Sequence, residues 1–175
     1  MVVPLQELIR GNMQDFFFES ASGFSCRDED VESFLKQKAF DFELRDKSRS
    51  FLIFDDSGAL LAYYTLSLKS LPFQANVSRS TIKDIDGFSK NVQAVGIVII
   101  GQFGKDLEAA KDVGGGSLFN LCMETVYLAK RTVGGRFVML ECRNIDKVVS
   151  FYKNNGFGIL QHDERNQYLQ MVRKL

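Results

Sequence analysis

Between Asp28 and Arg45 the apolar residues Val31, Phe34, Leu35, Ala39 and Phe42 recur three and four positions apart, which predicts one helix with a single buried face. Asp28, Glu29 and Asp30 suit the positive end of that helix, and Glu32 precedes Lys36 by four residues, a favourable order for an ion pair. Beyond it the period changes to extended. Ser50–Phe54 and Ala59–Leu68 are apolar and β-prone, and the turn Asp55–Gly58 between them predicts a hairpin. Leu71–Val92 is polar with a single proline and reads as a loop carrying a short helix around Ser78–Ile85. Gln93–Phe103 is apolar on both faces and belongs in the middle of a sheet.

After a run of three glycines, Leu118, Leu121, Cys122, Thr125 and Ala129 form a helical stripe. A strand over Arg136–Cys142 follows, then a short helix through Ile145, Val148, Val149 and Tyr152, closed by Asn155-Gly156. Two short strands, around Phe157–Gln161 and Gln167–Arg173, end the chain, and the first 23 residues read as short helical pieces. The alternation of strands and helices after a hairpin predicts a single-domain α/β protein on a mixed sheet, residues 1–175, with 1–23 as a helical extension.

The 175 residues suit one domain with a sizeable core, and 45% hydrophobic with 25% charged residues is ordinary for a globular protein. Lys+Arg and Asp+Glu are both 22, so no net field draws the whole chain to nucleic acid or to an acidic membrane. A local patch is still open: Lys69, Arg79, Lys83 and Lys90 gather after the hairpin, where a solvated loop is the default reading. The longest apolar run, Ala94–Gly101, is too short to span a bilayer, and the N-terminus has no signal-peptide pattern. Cys26, Cys122 and Cys142 are odd in number and far apart, which reads as reduced thiols in a cytoplasmic protein. With one histidine and no CxxC pair, no metal site is expected.

Gly114–Gly116 stand between the most apolar strand and an amphipathic helix starting near Ser117. A helix start offers unpaired N–H groups and partial positive charge, and glycine lets a phosphate come close to them. Taken alone the run reads first as a flexible loop before a helix. It fits neither a GxGxxG nor a GxxxxGK[ST] pattern, which speaks against dinucleotide, kinase and NTPase readings.

In context the chain resembles the GNAT superfamily of acetyl-CoA-dependent N-acetyltransferases. "KDVGGG", Lys111–Gly116, is similar to the family's Q/R-x-x-G-x-G/A turn, with Lys111 in the Arg/Gln position. Phe151, Tyr152, Gly156 and Phe157 match its FY-x-x-x-GF ending. Upstream, Phe24 and Cys26, Phe34 and Leu35, and the pair Ser48-Arg49 before the hairpin resemble the bacterial branch that includes toxin-like acetyltransferases. The likeness covers about Phe24–Phe157. Two departures stand out: the stretch "DLEAAKD" is longer than the usual pattern, and Lys111 replaces Arg or Gln.

The resemblance implies a mostly antiparallel sheet with a splayed central pair of strands and flanking helices. It implies acetyl-CoA as co-substrate, with pantetheine on the backbone of Phe103, Gly104 and Lys105 and pyrophosphate on Lys111, Val113, Gly114, Gly115, Gly116 and Ser117. Tyr152 would be the general acid for the departing thiolate. Glu141, on the strand beside the central one, is the best candidate for a general base, and a salt-bridged strand residue is an equal reading of it. Three acceptor readings stay open: a small-molecule or protein amine, the amino group of aminoacyl-tRNA, or a coenzyme-binding domain without turnover. A homodimer is a further expectation from the family.

Overall fold

The hairpin forms where the change of period placed it. The structure is a computed structural model and describes residues 1–163 and 167–175. Strands β2 (Arg49–Phe54) and β3 (Leu60–Pro72) pair antiparallel, from Arg49 opposite Leu66 to Phe54 opposite Leu60. The turn is held by Asp55, whose Oδ1 accepts from the backbone N–H groups of Ser57 and Ala59, both at 2.9 Å. Gly58 takes a φ of 86°, the left-handed conformation that glycine adopts without strain. β3 runs beyond the predicted end to Pro72, a residue that closes a strand because it has no N–H to donate.

The remaining strands are β1 (Val2–Pro4), β4 (Ala94–Lys105), β5 (Phe137–Arg143), β6 (Gly158–Asp163) and β7 (Tyr168–Lys174). Among the described residues all seven strands form one sheet in the order β1-β2-β3-β4-β5-β7-β6, which puts β4 fourth, as its two-sided apolar pattern requires. β4 and β5 are parallel, with Val98, Ile99 and Ile100 opposite Val138, Met139 and Leu140. The pairs β1–β2, β2–β3, β5–β7 and β6–β7 are antiparallel, so the sheet is mixed and mostly antiparallel.

Among the described residues seven helices accompany the sheet: α1 (Leu5–Arg10), α2 (Gln14–Gly23), α3 (Glu29–Gln37), α4 (Ala39–Leu44), α5 (Arg79–Asp86), α6 (Gly115–Val133) and α7 (Asp146–Asn154). Two expectations are corrected. The N-terminal residues are not purely helical, because Val2–Pro4 pair with Phe51–Ile53 before α1 begins. The helix predicted over 28–45 is broken at Lys38, whose φ and ψ are −124° and −30°. Its start is as read: the Asp28 carboxylate caps α3 by accepting from the N–H groups of Asp30 and Val31, and Lys36 pairs with Glu32 at 2.7 Å.

The break leaves Leu35, Ala39 and Glu43 buried in a row, and Glu43 is the surprise among them. Its carboxylate accepts from the Ser50 N–H at 2.8 Å and from Arg49 Nη1 at 3.0 Å, while Arg49 Nη2 reaches Asp46. Burial pushes the Glu43 carboxyl above the ordinary range, against the opposing pull of Ser50 and Arg49. Arg49 of the Ser48-Arg49 pair is thus a clasp that ties α4 to β2.

The chain packs as two compact units, Met1–Ser67 with Gly101–Met123, and Leu68–Ile100 with Glu124–Leu175. The core of the first contains Leu5, Phe17, Phe24, Leu35, Ala39, Leu52, Phe54 and Tyr63. Tyr63 donates its hydroxyl to the Val31 carbonyl, and burial pushes that phenol far above its ordinary pKa. Gly104 of β4 is set into this core. A Cβ there would stand 2.9 Å from Tyr63 Cε1, 2.9 Å from Val31 Cγ1 and 3.2 Å from Phe24 Cζ. Gly104→Ala is therefore expected to destabilise the protein by about 1–3 kcal/mol through overpacking, read as a lower midpoint in urea with an unchanged m-value. The second unit is built around Leu71, Ile97, Ile99 and Met139, with Phe73, Val95, Phe137, Leu160 and Val172 packed against them.

Candidate acetyl-coenzyme site

In the first unit the chain leaves β4 through a turn organised by one carboxylate. Asp106 is buried; its Oδ1 accepts from the N–H groups of Glu108 and Ala109 at 2.9 and 2.8 Å, and its Oδ2 from Ser25 N–H at 2.8 Å. The added residues of "DLEAAKD" are thus a folded turn, with Ala110 fully buried and Val113 N–H donating to the Ala110 carbonyl at 2.9 Å. Lys105 Nζ donates to the Val113 carbonyl at 2.5 Å, which fixes the residue just before the glycines. Phe103 meets Phe119 edge to face at 5.1 Å. Sequence reasoning missed Asp106, because an acid after a strand carries no local sign of burial.

α6 begins within the glycines rather than at Ser117. Gly114 accepts the first helical bonds, from Ser117 N–H at 3.0 Å and Leu118 N–H at 3.3 Å. Gly115 and Gly116 occupy the first turn, where an N–H has no carbonyl four residues back to bond. Neither Gly114 nor Gly116 has a left-handed φ. A Cβ on Gly114 would meet only Ser117 Oγ at 3.7 Å, and one on Gly116 would meet nothing within 4 Å. Neither backbone conformation nor packing within the protein calls for glycine here, in contrast to Gly104. Of the predicted cradle, Val113 and Ser117 spend their own N–H groups on Ala110 and Gly114, so Gly115 and Gly116 present the helix-start amides.

The second unit holds the two candidate proton-transfer residues. Tyr152 lies half-buried on α7 between Phe151 and Phe157, ring centroids 5.2 and 6.1 Å away. Its carbonyl accepts from Asn155 N–H at 3.0 Å and Phe157 N–H at 3.1 Å, and Gly156 makes the stop with a φ of 82°. Arg173 of β7 holds that stop from outside, donating Nη1 to the Asn155 carbonyl at 2.9 Å. The FY-x-x-x-GF ending is thus a device that fixes the backbone under the tyrosine.

Glu141 on β5 is ion-paired. Its Oε1 accepts from Lys69 Nζ of β3 at 2.6 Å and from Gln170 Nε2 of β7 at 2.7 Å. Gln170 Oε1 in turn accepts from Gln161 Nε2 at 2.6 Å, and Gln161 Oε1 accepts from Gln74 N–H at 3.0 Å. Lys69 therefore belongs to the sheet, not to a solvated loop. Burial pushes the thiols of Cys122 and Cys142 above their ordinary range.

No family model matches the chain, and no curated protein matches it. Solved structures do. A bacterial toxin superposes with a TM-score of 0.73 at 16% identity, over 91% of this chain and 86% of that one. AtaT complexed with acetyl-methionyl-tRNAfMet gives 0.67 at 23% identity, over 86% and 85%, and AtaTR bound with AcCoA gives 0.65 at 21%, over 97% and 90%. A tyrosine-to-phenylalanine mutant of KacT gives 0.65 at 26% identity, over 86% and 85%. The chain has the fold of these toxins, and it is the GNAT-like fold that the glycine turn and the FY-x-x-x-GF ending implied.

Proposed function

We propose that the protein is an acetyl-CoA-dependent N-acetyltransferase whose acceptor is the amino group of an aminoacyl-tRNA. The observation that carries the coenzyme assignment is the glycine turn: Gly114 and Gly116 satisfy no need of their own fold, and their backbone stands open at a helix start. The acceptor is supported by the fold shared with AtaT, solved with acetyl-methionyl-tRNAfMet. Pyrophosphate takes the amides of Gly115 and Gly116, with Lys111 beside them, and pantetheine lies along the backbone of Phe103–Lys105 as an added strand would.

The amine attacks the thioester carbonyl, and the tetrahedral oxyanion is held by a backbone N–H of β4. Collapse breaks the C–S bond, and Tyr152 gives its proton to the leaving sulfur, to be reprotonated from the acceptor's released proton through solvent. Glu141, held by Lys69 and Gln170, receives the amine's proton directly or through water. The reading places the enzyme in the cytoplasm, and no helix among the described residues is long and apolar enough to cross a membrane. It extends to a homodimer, for which the edge strand β6 with its exposed Ile159 is the candidate face.

The test is transfer of labelled acetyl from acetyl-CoA to charged tRNA, against spermidine and a lysine peptide. Labelled tRNA is expected; label on the peptide alone would return the acceptor to a protein amine. Glu141→Gln separates the two readings of that residue. An amide oxygen still meets Lys69 and Gln170, so stability is expected to fall by no more than about 1 kcal/mol. A turnover loss of about tenfold or more at that stability, relieved at higher pH, identifies a base; unchanged turnover leaves a strand ion pair.

A further inference from the structure

The neutral total hides a split. The unit of Met1–Ser67 and Gly101–Met123 carries nine Lys and Arg against fifteen Asp and Glu, while that of Leu68–Ile100 and Glu124–Leu175 carries thirteen against seven, a surplus of six positive charges. Within the positive unit, the end of β3, α5 and the segment returning to β4 enclose a groove of about 610 Å³. Phe73, Gln74, Arg79, Lys90, Asn91 and Gln93 line it, and among the described residues no acidic side chain does. Arg79 Nη1 donates to Asn91 Oδ1 at 2.5 Å, which ties α5 to the segment returning to β4, and Phe73 N–H donates to the Gln93 carbonyl at 2.9 Å, which ties the end of β3 to the same segment. Two residues before Lys90, Phe88 is 90% exposed, an aromatic face that the fold itself does not use.

Cations for phosphates, amides for base edges and aromatic rings for stacking are the parts of a single-strand nucleic-acid site. We propose that this groove binds a single-stranded RNA segment, the unpaired end of the acceptor. The proposal rests on the aminoacyl-tRNA reading only for the source of that RNA. The groove is also tied to the candidate base, because Gln74 donates its N–H to Gln161 and Gln161 leads through Gln170 to Glu141. RNA seated there bears on the residues that hold that carboxylate.

The experiment is fluorescence anisotropy of a labelled twelve-nucleotide single-stranded RNA over a range of salt. The proteins are wild type, Arg79→Gln/Lys90→Gln and a control, Arg136→Gln/Lys174→Gln, a basic pair of the same unit that faces Asp84 instead. Each phosphate contact on a single strand contributes about 0.7 to the slope of log K against log salt, so the groove variant is expected to lose about 1.4 in slope and about tenfold or more in affinity. The control is expected to match wild type, and blunt duplex RNA to compete poorly. Equal losses in both variants, no binding by wild type, or equal binding of the duplex would overturn the groove. An acetyl-CoA melting shift in the same proteins keeps the two readings apart. RNA binding without that shift sinks acetyl transfer and leaves the groove standing; the shift without RNA binding does the reverse.

Discussion

Tyr152→Phe is expected to lower turnover on charged tRNA about 10²–10³-fold while leaving acetyl-CoA binding as it was. The substitution removes one oxygen and keeps the ring that packs between Phe151 and Phe157. The backbone beneath is held by Asn155 and Phe157 N–H groups on the Tyr152 carbonyl and by Arg173 on the carbonyl of Asn155, none of which involves the hydroxyl. The folded state should therefore lose no more than about 1 kcal/mol, the net value of a single hydrogen bond. A general acid acts only as the C–S bond breaks, so its loss lowers kcat and kcat/KM together. Single-turnover transfer checks this, with melting in acetyl-CoA as the binding readout. A variant that turns over within about threefold of wild type removes Tyr152 from the chemistry.

How much of this the sequence disclosed depended on the range of each interaction. β4 could be placed at the sheet centre because Ile97–Ile100 are apolar on both faces, a property of consecutive residues. The short helix α5, α7 with its Asn155-Gly156 stop, and the turn at Asp55–Gly58 were legible for the same reason. β1 was not, since three residues ending in proline carry no period and become a strand only through Phe51–Ile53. The break at Lys38 was invisible because the apolar spacing runs straight through it. The α6 stripe was read one position off its centre: Leu118 and Cys122 are buried, but so are Phe119, Met123 and Val126, while Leu121 and Thr125 are only half so.

The site divides along the same line. The glycines and the tyrosine were found by short motifs. Partners far along the chain were not: Lys69 and Glu141 are 72 residues apart, and nothing local marks Gly104 as a glycine that Phe24, Val31 and Tyr63 require. The basic residues after the hairpin show the same limit, since their spacing gave one cluster where the fold separates Lys69, turned to Glu141, from Arg79 and Lys90 in the groove.

Gly114→Asp is expected to leave the unliganded protein as stable as wild type, or slightly more so, and to abolish its stabilisation by acetyl-CoA. The first half follows from the helix start. Gly114 is where α6 takes its first hydrogen bonds, aspartate is among the preferred residues at such a position, and its charge suits the helix dipole. The added side chain meets only Ser117 Oγ at 3.7 Å and no unfavourable φ. The second half follows from the same geometry. A carboxylate that accepts from the first-turn amides occupies the donors assigned to pyrophosphate and repels its charge. At about 100 times Kd, acetyl-CoA should add about 2.7 kcal/mol to the wild type, a rise in melting temperature of about 5–10 °C for a chain of this size. Gly116→Asp, where the added Cβ meets nothing within 4 Å, should behave alike. Because the apo effect and the liganded effect have opposite signs, damage to the fold cannot imitate the result. Two variants that still shift as wild type does would make the glycines no more than a helix start and take the coenzyme assignment with them.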